Sequence, residues 1–230
     1  MEQSGTSTLL KGAVQDLAAG VASALRSGGH GPAGDLPSAA FAADGLAPAA
    51  VRVLGADYVL PHVLLGTRPD PAELALLRRA VETYPPRADA APTVAWSHWA
   101  MTRALRRLAP GEAVPAPEPA ADWLDTADWR TLTHQLAILA PLALPGEDSA
   151  VGRAARHRPV DVARGFVRAV RRRDWAQAAG AARWLTVLDG VPDTLGLDTG
   201  LDFVELMGGG DPLVDLQVRA ARHLRVGALV

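Results

Sequence analysis

The chain has 230 residues, 49% of them apolar and 21% charged, and its 25 acidic against 23 basic residues give a net charge of −2. That is enough apolar material for a substantial core, so the chain reads as a folded protein, without the strong basic excess of a dedicated nucleic-acid binder. Cysteine is absent, which excludes disulfides, thiolate metal centres, iron–sulfur clusters and cysteine nucleophiles. Any chemistry would rest on His, carboxylates, hydroxyls or a borrowed cofactor.

Apolar residues recur at helical spacing through most of the chain, and alternating β-branched runs are almost missing. The pattern predicts an all-α fold, an irregular bundle or stacked helical hairpins of about six to eight helices, in a single domain over residues 1–230. The first helix is expected from Thr8 to Arg26, with Leu10, Val14, Leu17, Val21 and Leu25 on one face, ending at Ser27-Gly28-Gly29. A flexible loop near 27–46 follows. Its Gly29-His30-Gly31-Pro32-Ala33-Gly34 satisfies a dinucleotide-binding pattern formally, but it follows a helix instead of a strand and reads as a loop. From Pro48 to Leu65, Gly55 and Pro61 break an apolar segment into two short helical pieces.

Asp70-Pro71-Ala72-Glu73 carries an N-cap, a first-turn proline and a capping-box acid for a helix ending near Tyr84. A further helix covers Thr93 to about Ala109, and four prolines make the segment near 110–120 a second flexible loop, too short to separate domains. The next helix is expected to begin at Asp122 and run to about Ala140. Pro159 and Asp161 open a helix ending near Arg173, and Asp174 caps another to Leu188, so the two form an antiparallel hairpin. Gly208-Gly209-Gly210 connects into the last helix, opened by Asp211-Pro212, with Leu213, Leu216, Ala220 and Leu224 on one side.

Val94, His98, Met101, Leu105 and Leu108 share a helical stripe, which places an imidazole inside apolar surroundings with Trp96 and Trp99 as possible flat walls for a ligand. His134 and Gln135 interrupt a strongly apolar half-helix and could present a proton donor and an amide to a pocket, while His62 stands at a helix break of the kind that lines cavities. Each has a plainer reading as a buried polar group satisfied by a carbonyl, a water or a neighbouring helix. Asp122, Asp125 and Asp128 recur every three residues, but the two successive steps turn the outer carboxylates apart and capping explains them better than metal binding. No metal site and no cofactor is expected.

Nine arginines against two acids fall between Arg153 and Arg183. Arg164, Arg168 and Arg171 share a helical face, with Arg172 at the helix end, and together they could dock an acidic peptide, a protein or a phosphorylated small molecule. The plainer alternative is a solvated face. All but one of the 23 basic residues are Arg, there is no Asn, and Ile138 is the sole Ile, a bias in keeping with codon pressure in a GC-rich bacterial genome. It cautions against reading every Arg as functional.

No motif fixes a reaction. The leading expectation is a noncatalytic helical accessory protein, of a kind that serves a biosynthetic system, that binds a peptide, protein or small-molecule partner in a groove beside the Arg-rich hairpin. The alternative is an all-helical tailoring enzyme acting on peptides or specialised metabolites, with His98 or His134 as general acid or base in a Trp-lined pocket. Nucleic-acid binding is the least favoured. With no secretory signal visible and no apolar run of roughly 20 residues, the expected setting is the cytoplasm, away from the membrane.

Overall fold

The computed structural model describes residues 2–28, 45–111 and 116–227. Most of the two segments expected to be flexible, 29–44 with its glycine-rich pattern and 112–115, lies outside the described residues. The fold is an irregular multi-helix bundle, and no strand occurs among the described residues. They hold eleven α-helices, more than the six to eight expected, because helices also form over Ala150–Arg156 and Leu197–Gly208, where the sequence pattern predicts none. Contacts gather the chain into two compact units, Met1–Pro117 and Glu118–Val230, and the division falls inside the proline-rich segment.

The first unit contains α1 (Glu2–Arg26), α2 (Ala47–Leu54), a 3-10 turn over Gly55–Val59, α3 (Leu60–Leu65), α4 (Pro71–Thr83) and α5 (Pro92–Leu108). Helix α1 buries Val14, Leu17, Ala18, Val21 and Leu25, one face at three- and four-residue spacing, against α2. The expected break after α2 is made by Gly55, whose φ of 71° lies in the left-handed region that a side chain disfavours. Helix α4 has the full capping box. The Asp70 carboxylate accepts from the Ala72 amide, and the Asp70 amide donates to Glu73.

The second unit contains a 3-10 turn at Asp122–Leu124, α6 (Trp129–Ile138), a 3-10 turn at Ala140–Leu142, α7 (Ala150–Arg156) and α8 (Pro159–Arg171). It continues with α9 (Trp175–Leu185), a 3-10 turn at Asp193–Leu195, α10 (Leu197–Gly208) and α11 (Pro212–Gly227). Helix α9 is its centre, buried from Ala178 to Leu185 and packed by α6, α8, α10 and α11. Its small residues allow that crowding. A Cβ on Gly180 would sit 2.6 Å from the Ala137 carbonyl oxygen of α6. Trp184 is buried here and donates from Nε1 to the Leu136 carbonyl at 2.7 Å, while Arg183 donates to Gln217 of α11.

Two expected helix starts are corrected, the first being α1, which begins at Glu2, six residues before Thr8. Helix α6 begins at Trp129, not at Asp122, and its N-cap is Asp128, which accepts from the amides of Arg130 and Thr131. A tertiary contact holds the chain between the 3-10 turn and α6: Arg158, the N-cap of α8, donates through Nη1 to the carbonyls of Ala127 (2.7 Å) and Leu124 (3.4 Å).

Candidate functional site

Thr133 of α6 and Gly165 of α8 bring these two helices together. The fully buried Thr133 hydroxyl donates to the Trp129 carbonyl one turn earlier, and the absence of a side chain on Gly165 leaves the space that Thr133 occupies. This approach seats Trp129 beside α8. The Arg164 and Arg168 guanidinium carbons lie 5.1 and 6.0 Å from its ring centroid, and that of Arg130 lies 4.6 Å away.

Trp129 forms part of the wall of a groove of about 590 Å³. Along α8 the groove is lined by Val160, Ala163 and Val167 and by Arg164, Arg168, Arg171 and Arg172, and Pro192, Thr194 and Leu195 complete it. The volume falls within the range of ligand-binding clefts. At 100° per residue, Val160, Ala163 and Val167 fall in one narrow arc of the α8 surface, and Arg164, Arg168 and Arg171 fall in the adjoining one. The groove therefore has an apolar strip running beside a cationic one. Val160 and Val167 are exposed.

Eight of the nine arginines between 153 and 183 divide by what they contact, and the ninth, Arg173, is exposed in the turn after α8 with a φ of 57°. Arg153 and Arg156 pair with Asp148 at 2.9 Å, and Arg153 also reaches Glu118. Arg158 binds Asp161 through Nε and Nη2 in addition to its carbonyl contacts, and Arg183 is buried within the unit. Arg164 lies 3.7 Å from Asp161, whose other oxygen is already held by Arg158. Among the described residues, no carboxylate forms an ion pair with Arg168, Arg171 or Arg172. The end of α8 is a favourable place for these cations, since the last carbonyls of a helix carry partial negative charge.

The three expected histidines have internal partners. His98 is half-buried and donates from Nε2 to the Val81 carbonyl at 3.2 Å. Burial, opposed by that bond and reinforced by the Arg52 charge, holds its pKa below the ordinary imidazole value. Met101 and Leu105 of its stripe are buried, but Val94 at the helix start is exposed, and the inner surface of α5 extends instead to Trp96, Trp99, Ala100 and Ala104. Trp96 is wholly buried, edge-on to Trp99 with centroids 5.2 Å apart, and Arg103 covers the Trp99 ring. The cleft beside Trp99 measures only about 20 Å³, room for about one water.

His62 is buried, with Nε2 3.1 Å from Glu73 and Nδ1 2.9 Å from the Thr67 hydroxyl. Glu73 thus serves as both the capping acid of α4 and a buried partner of an imidazole. Nearby Tyr58 is pushed above the ordinary phenol range by burial and by the charges of Glu73 and Asp70. In the second unit His134 is exposed and its Nδ1 meets the Gln177 side-chain oxygen at 3.3 Å, while Gln135 is half-buried. Among the described residues, no three His, Asp or Glu side chains gather as metal ligands, and no helix is long and apolar enough to cross a membrane.

Sequence reasoning named the four groove arginines but not Trp129, Val160, Val167, Pro192, Thr194 or Leu195 as their neighbours. The signal was present in α8, which carries more apolar residues than its buried face, Val162, Ala163, Phe166 and Ala169, can use. No family model, curated protein or solved structure matches the chain. Fold and groove define its class by themselves: an all-helical protein with an arginine-lined, half-apolar groove.

Proposed function

We propose that the protein is a noncatalytic binding module that holds an anionic partner in the groove along α8. One observation carries this reading: Arg168, Arg171 and Arg172 line the groove beside an apolar strip without a carboxylate partner among the described residues. Guanidiniums are well suited to carboxylates and phosphates because their planar donors bind such groups in pairs. The adjoining valines, Pro192 and Leu195 add apolar area that a purely ionic partner would leave unused. The reading includes the cytoplasmic setting expected from the sequence.

The test is calorimetric titration with polyglutamate at low and at moderate salt, using the native protein and Arg168→Ala/Arg171→Ala. Binding that weakens with salt and drops at least about tenfold in the double variant is expected, because each charge-assisted bond contributes roughly 1.5–3 kcal/mol. Equal affinity in the two proteins, or no binding to either, would reject the reading.

A further inference from the structure

We infer that the partner of the α8 groove is an acidic amphipathic helix carrying carboxylates at positions i, i+4 and i+7, each preceded by an apolar residue. This rests on the anion-binding reading above and makes it specific. The cations form a row: Arg164 to Arg172 spans eight residues, about 12 Å at 1.5 Å per residue. A single phosphoryl group engages one or two guanidiniums and leaves the rest of such a row unmet. A helix presents side chains along one face at a matching pitch, and its apolar residues would lie on the exposed Val160 and Val167.

The chain already contains one such pairing. On α10, Asp198, Asp202 and Glu205 stand at i, i+4 and i+7, and Leu197, Leu201 and Val204 precede them and are buried. They meet a row of arginines on α11: Arg225 contacts Asp198 at 2.6 Å, Arg222 contacts Asp202 at 2.8 Å, and Arg219 contacts Glu205 at 3.5 Å. A row of arginines on one helix therefore pairs with an acid-bearing helix within this very fold. The row on α8 has no such helix among the described residues.

The segments outside the described residues do not supply the missing helix. Residues 29–44 contain only Asp35 and Asp44 as acids, and residues 112–115 only Glu112, so neither carries three carboxylates at this spacing. A nucleic acid fits less well, because Arg130, Arg164 and Arg168 already crowd the Trp129 ring that a base would stack on.

The experiment uses the full chain and calorimetry with four probes. These are a helical peptide repeating the apolar-acid spacing of residues 197–205, a peptide of the same composition with the acids rearranged, inorganic pyrophosphate, and a single-stranded oligonucleotide. The spaced peptide is expected to bind at least about tenfold tighter than the rearranged one, and Arg168→Ala and Val160→Asp are each expected to weaken it about tenfold. Equal binding of both peptides, still sensitive to Arg168→Ala, overturns the helical partner but keeps the anion groove. Preferred binding of pyrophosphate or the oligonucleotide overturns it in favour of that ligand. Failure of every probe to bind overturns the groove reading itself.

Discussion

Gly165 and Thr133 approach so closely that a Cβ added to the glycine would stand 2.0 Å from the threonine hydroxyl oxygen. The contact fixes the α6–α8 spacing, and the spacing fixes Trp129 against Arg164 and Arg168. Gly165→Ala should therefore destabilise the second unit by about 1–3 kcal/mol, the usual cost of overpacking. Thr133→Ala removes a buried hydroxyl bond and the two nearest of the three clashing atoms, Oγ1 and Cγ2, while its own Cβ remains 2.4 Å from the added one. In urea denaturation the double variant should lose less stability than the two single losses combined. Simple additivity would show that the two residues are not coupled.

Local signals were legible in the sequence and tertiary ones were not. The Asp70–Glu73 capping box depends on four consecutive residues and forms as expected. Asp122, Asp125 and Asp128 are equivalent caps by local criteria, and the chain ahead of Asp128 is held by Arg158, some thirty residues downstream, donating to the Leu124 and Ala127 carbonyls. Helix α10 went unassigned although Leu197, Leu201 and Val204 have helical spacing, because Gly196, Gly200 and Gly208 punctuate it. Gly200 and Gly208 are there for packing: a Cβ would come within 2.8 Å of Phe166 and 2.6 Å of Trp175, respectively. The arginine face of α8 could be read from spacing alone. The groove could not, because its other wall comes from α6 and from residues 192–195.

Asp128 gives a prediction about acid. Hydrogen bonds from the Thr131 hydroxyl and from the Arg130 and Thr131 amides hold its pKa below the usual carboxylate range. A depressed folded-state pKa means that the stabilisation is complete above the unfolded value and is lost as pH falls through the folded one. Asn caps a helix about as well as Asp but does not titrate. Asp128→Asn should thus melt close to the native protein at pH 7 and lose less stability than the native protein between about pH 4 and pH 2. Parallel acid-dependence curves for the two proteins would rule out this role.

His98 should act at milder pH. Its pKa is lowered chiefly by burial, so below an ordinary value of about 6.5 the unfolded chain takes up a proton that the folded chain resists. Stability contributed by neutral His98 is full above that value and declines as pH falls through it. His98→Gln can still donate to the Val81 carbonyl without titrating. The native protein should lose stability between pH 7 and pH 5, and the variant should show a shallower slope in denaturant midpoints. An unchanged slope would assign the pH dependence to other groups.

Arginines within one short stretch should separate by experiment into structural and binding groups. Arg158 is mostly buried, makes two bonds to the Asp161 carboxylate at 2.7 and 2.9 Å, and holds the carbonyls that place α6. Arg158→Ala should cost about 1.5–3 kcal/mol and should also move Trp129, with a change in near-ultraviolet circular dichroism. Arg171→Ala and Arg172→Ala remove exposed cations that make no ion pair among the described residues, so each should change stability by no more than about 0.5 kcal/mol. The same two variants should weaken binding of an acidic peptide, whereas Arg153→Ala, outside the groove, should not. Stability losses at Arg171 or Arg172 as large as that at Arg158 would mean that the groove cations hold the fold together.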